Sequence, residues 1–141
     1  MRRRFVATTL WVVIVGTSTI APAETGIQKA QRDLEETAIN IVNGPLERFQ
    51  NEDRGNCTSD NLKSAAGKAF GIYNVYAQRR GLDFEAAIVP ASSFLYVGDT
   101  AAKYGCKVIA REMYMAVIDS YYGAAYSGVR ERAKVRLDVL K

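Results

Sequence analysis

Apolar and small residues at 27, 30, 34, 38, 41 and 42 recur at the spacing of one helix face, which predicts a helix over residues 27–42. Glu35 and Glu36 lie off that stripe, and Gly44-Pro45 is expected to stop the helix. Residues 46–54 can add a short second helix with Leu46 and Phe49 facing inward. A polar stretch over 51–61 then reads as a loop, and Ser59 or Asp60 is the expected N-cap of the next helix. That helix runs to about Arg80, with Leu62, Ala66, Ala69, Tyr73, Tyr76 and Ala77 on its apolar side and Gly81 as its stop. Gly67 and Gly71 sit inside it, each costing about 1 kcal/mol relative to alanine. A close helix–helix crossing is the expected reason for them.

Asp83 can cap a short turn before Ile88-Val89-Pro90, and Pro90 suits the start of a helix over about 91–104. Gly105 marks a break before Cys106. The segment 107–126 is the most apolar of the helical stretches, leaving Lys107, Arg111, Glu112 and Asp119 on a polar arc of about 140°. Such a helix is expected at the centre of a bundle. Ser127-Gly128 interrupts the pattern, and residues 129–141 resume it as a basic amphipathic helix with Val129, Ala133, Leu137 and Leu140 on one side. Alternating strand patterns are absent except at 87–89, so the fold class is all-α, a small bundle of about four to six helices.

The first residues change where this domain is expected to work. Met1-Arg2-Arg3-Arg4 precedes an uncharged stretch to Gly16, and a small, polar segment closes on Ala21-Pro22-Ala23. That is the pattern of a cleaved signal peptide over 1–23, with Glu24 first in a mature single domain of 24–141. The localisation expected is periplasmic or secreted, with membrane contact at most peripheral. The chain carries 19 basic and 15 acidic residues, but Arg2, Arg3 and Arg4 belong to the signal, leaving a mature net charge of +1. Nucleic-acid binding therefore has little electrostatic support.

In an oxidising compartment Cys57 and Cys106 are expected to form one disulfide. The bridge would close a loop of about 50 residues, worth roughly 4 kcal/mol by loop entropy. No Cys-x-x-Cys and no histidine is present, which removes His-based catalysis and His-ligated metal sites. No cofactor is expected. Thr100 and Lys103 match a loose hydroxyl-x-x-lysine pattern, but such a tetrapeptide often arises by chance and its supporting motifs are missing. Glu112 is the best-placed carboxylate for cell-wall chemistry, with Asp119 on the same arc as a further candidate, and the blander reading of Glu112 is a solvated or salt-bridged face.

Tyrosine is the compositional oddity, with six of eight between Tyr96 and Tyr126. Tyr114, Tyr121, Tyr122 and Tyr126 either pack in the core or offer contact area to a partner. Arg130, Arg132, Lys134 and Arg136 follow them on the basic helix, so the two sets are expected to form one aromatic-and-basic interaction surface. Residues 24–60 hold 8 acids and 4 bases, while 61–141 hold 7 and 12, a polarity that also suits a homodimer. These features point to a non-enzymatic binding protein with another envelope or secreted protein as partner: an inhibitor, an immunity-type protein or an assembly accessory. In size and cysteine separation the chain is similar to small periplasmic chaperones of the HdeA type, which implies an acid-released holdase as the alternative. A carboxylate enzyme and a small-ligand carrier are further readings, the latter requiring a cavity between the helices.

Overall fold

A computed structural model describes residues 22–78 and 89–140. Residues 1–21 of the expected signal segment, the expected helix end at Arg80 and Gly81, and the turn near Asp83 lie outside them. Among the described residues there are five α-helices and no strand: α1 (Gly26–Arg48), α2 (Asp60–Gln78), α3 (Ser92–Lys103), α4 (Lys107–Ser120) and α5 (Ser127–Val139). None is long and apolar enough to cross a membrane. Their apolar faces meet in one core that includes Val42, Leu46, Phe49, Leu62, Ala69, Phe94, Val97, Met113, Val117 and Ala133. Each large aliphatic or aromatic side chain in such a core contributes roughly 1.5–3 kcal/mol.

α1 opens on a reciprocal cap. Gln28 N–H donates to Thr25 Oγ1 (3.2 Å) and Thr25 N–H donates to Gln28 Oε1 (2.9 Å). Residues 22–33 are all exposed, so the first turns of α1 project beyond the bundle. The helix does not stop at Gly44-Pro45. It runs through Pro45 to Arg48 and continues as a wider π-helical turn over Phe49–Asp53. An interior proline costs about 3 kcal/mol because it removes one backbone donor and crowds the preceding turn. Full burial of Leu46 and Phe49 just beyond it offsets that cost, since both reach the core only if the helix persists.

Ser59 is the cap of α2: its Oγ accepts from Asn61 N–H at 3.1 Å. The expected apolar face of α2 is turned inward, with Leu62 and Ala69 fully buried and Ala66, Tyr73 and Tyr76 half-buried against the core. Ala65, outside the expected stripe, is fully buried as well. Gly67 and Gly71 do something else. Both are exposed, and a Cβ at either would have no neighbour within 4 Å, so no helix crosses there. The close crossing is between α3 and α4, at Gly98, where a Cβ would stand 2.6 Å from Tyr114 Cε1.

The centre of the bundle is α3, not α4. α3 packs on α1, α2 and α4 and buries Ser93, Phe94, Leu95, Val97, Gly98, Thr100 and Ala101. Small residues let three neighbours approach it. α4 instead leaves Val108 (81 %) and Met115 (37 %) exposed on its outer side. The α3–α4 corner is a Schellman turn: Gly105 has φ +80°, Cys106 N–H donates to Ala101 O (2.8 Å) and Gly105 N–H donates to Ala102 O (3.1 Å). Cys106 emerges from this fixed corner and is bonded to Cys57 in the α1–α2 connection, Cα–Cα 5.2 Å.

α4 ends at Ser120 rather than continuing to Tyr126. Tyr121 is extended, Gly123 has φ +90°, and a 3-10 turn over Ala124–Tyr126 leads directly into α5. The break therefore precedes Ser127-Gly128, which already belong to α5. The expected α5 stripe is inward, with Ala133 and Leu140 buried and Val129 and Leu137 half-buried.

Candidate functional site

The tyrosines and basic residues singled out from the sequence do not form one surface. Tyr114 (2 % exposed), Tyr121 (0 %) and Tyr126 (9 %) are in the core, and Tyr122 (61 %) is outside. The Tyr114 hydroxyl donates to Asp99 Oδ1 at 2.7 Å, and the Tyr121 hydroxyl donates to Pro90 O at 2.7 Å. The Tyr126 hydroxyl accepts from Val89 N–H at 2.9 Å. Tyr121 is ringed by Tyr73, Phe94 and Tyr126 at centroid distances of 5.5, 6.2 and 5.3 Å, a packed aromatic cluster. Burial pushes the Tyr114 and Tyr121 hydroxyls well above the ordinary tyrosine range, with the Asp99 hydrogen bond adding to the first and the Glu35 charge to the second. Both remain neutral donors at any physiological pH.

The four cations divide by role. Arg130 donates from Nη1 to Tyr121 O (2.6 Å) and Gly123 O (2.9 Å), closing the end of α4. Arg136 donates from Nε to Asp99 Oδ1 at 2.7 Å. Lys134 is exposed and 4.0 Å from Glu131, a loose surface pair. Arg132 is exposed, with no hydrogen bond or ion pair to any described residue.

The catalytic candidates also separate. Thr100 is buried in α3, while Lys103, Glu112 and Asp119 are exposed. No group of three or more His, Cys, Asp or Glu that could hold a metal ion occurs among the described residues.

Sequence patterning missed two acids. Glu35, half-buried on α1, supplies the cap that Ala91 cannot give α3: its oxygens accept from Ala91 N–H (3.2 Å) and Ser92 N–H (2.9 Å). A carboxylate there also meets the positive end of the helix dipole. Asp99 joins α3 to α4 and α5 through Tyr114 and Arg136. Position beside the inward stripe of α1 was the available signal for Glu35, but its partners lie 56 and 57 residues away.

The depressions among the described residues include two of note. One is a cleft of about 520 Å³ between α1, α3 and α5, with Glu35, Asp99 and Arg132 at its edges. The other is an open apolar trough of about 610 Å³ along α1 and α2, where Ile41 and Val75 flank the bare backbone of Gly67 and Gly71. Comparison with known proteins yields no significant match to any family model, curated protein or solved structure.

Proposed function

We propose that the chain is an exported, non-enzymatic binding protein that docks on another envelope or secreted protein through the outer side of α4 and α5. One observation carries this reading. Of the large apolar side chains exposed among the described residues, five sit on α4, α5 or the turn between them: Val108, Met115, Tyr122, Val135 and Val139. Glu112, Asp119 and Lys134, on the same two helices, are also exposed. Exposed apolar side chains interspersed with mixed charge suit a protein contact. The signal-like N-terminus and the disulfide support an oxidising compartment.

The test uses the oxidised chain from residue 24 and a Val108→Lys/Val139→Lys variant, both sites being so exposed that folding should be unchanged. A stoichiometric partner captured from envelope extract by the first and lost with the second, at equal thermal stability, is the expected result. A partner retained by both would remove this face from consideration. Many weak partners that appear only at low pH would favour the holdase alternative instead.

A further inference from the structure

The cleft between α1, α3 and α5 is separate from that face and has its own chemistry. Its volume of about 520 Å³ falls within the size range of small-molecule sites. Leu95 and Tyr126, both nearly buried, and half-buried Val129 give it an apolar wall. The two carboxylates at its edges are already engaged. Glu35 holds the first backbone N–H groups of α3 with both oxygens, and Asp99 holds the Arg136 guanidinium and the Tyr114 hydroxyl. The Arg136 guanidinium thus offsets the Asp99 charge, and the backbone donors at the start of α3 offset that of Glu35.

Arg132 is the opposite case. It lines the cleft, pairs with no described acid, and folds back one turn so that Nη1 lies 4.0 Å from where a Cβ on Gly128 would stand. The uncommitted charge of the cleft is thus positive and adjoins an apolar wall. Guanidinium favours planar or tetrahedral oxyanions through paired N–H donors. We infer that this cleft binds a small amphiphilic anion, with its oxyanion on Arg132 and its apolar body against Leu95, Tyr126 and Val129. The head can be a carboxylate or a phosphate monoester, since both offer the same paired oxygens.

The experiment is a titration of the oxidised protein with naphthoate, naphthyl phosphate and neutral naphthylmethanol, followed by backbone amide NMR shifts. Both anions should saturate shifts around Leu95, Val129 and Arg132 and bind more tightly than the alcohol, and the tighter of the two identifies the head group. Arg132→Gln, an exposed change that leaves the core intact, should weaken the anions about tenfold and leave the alcohol unaffected. Lys134→Gln, outside the cleft, should change neither. Equal affinity for anion and alcohol, indifference to Arg132→Gln, shifts centred on the α1–α2 trough, or no saturation would each overturn the assignment.

Discussion

A methyl group on Gly98 would meet Tyr114 Cε1 at 2.6 Å, Tyr114 Cδ1 at 3.0 Å and Met113 Cβ at 3.2 Å. Tyr114 cannot move aside without giving up its hydrogen bond to Asp99. Gly98→Ala should therefore destabilise the protein by about 1–3 kcal/mol, read as a lower denaturant midpoint, despite the better helix propensity of alanine. An unchanged midpoint would mean that the α3–α4 spacing is softer than described. Periodicity could not single out this glycine, because its reason lies on a partner helix and not in its own pattern. Gly67 and Gly71 drew attention through their spacing, yet they face open space. Tyr121 follows the same logic. Its ring and hydroxyl are both used inside, so truncating it would test packing rather than partner binding.

Among the elements, the connection from α1 to α2 is held by a side-chain network. Asp53 Oδ2 accepts from Ser59 Oγ (2.7 Å) and Asn61 Nδ2 (2.8 Å), while Ser59 caps α2. Those two donors favour the charged carboxylate and hold Asp53 below its ordinary value of 3.8. A group lowered in the folded state binds its proton more readily when unfolded, so its contribution is present above pH 3.8 and fades as the pH falls below it. Unfolding midpoints measured across that range should decline more steeply for the wild type than for Asp53→Asn. Parallel curves would show that the cap does not depend on the charge. The inward faces of α2 and α5 were legible from spacing alone, as was the break at Gly105, while the cap of α2 was narrowed to Ser59 or Asp60 and is Ser59. Element ends were less so. Pro45 lies inside α1 because burial of the residues after it outweighs the local penalty, and α4 stops early because Gly123 and Arg130 turn the chain.

For the whole molecule, the all-α class and the Cys57–Cys106 bridge were both readable from the sequence, whereas the cleft was not. It arises where three helices far apart in the chain leave a gap between them, and the bonds at its edges span 56 and 37 residues. The bridge closes a sequence separation of 49, so replacing both cysteines with alanine should cost about 4 kcal/mol if loop entropy dominates. Chemical denaturation of the oxidised protein and of that double variant measures it, and a loss below about 1 kcal/mol would contradict the entropic account. The same bond also makes the covalent chain a ring with two tails. α2 and α3 belong to the ring, α1 to the leading tail, and α4 with α5 to the trailing one. A protease that cuts once within the ring opens it without separating anything, so all three walls of the cleft stay on one covalent molecule. A cut between α1 and Cys57, or between Cys106 and α5, instead leaves a wall helix with no covalent link to the rest. Protein nicked once between Cys57 and Cys106 should therefore run as a single species under denaturing conditions until it is reduced, and then as two.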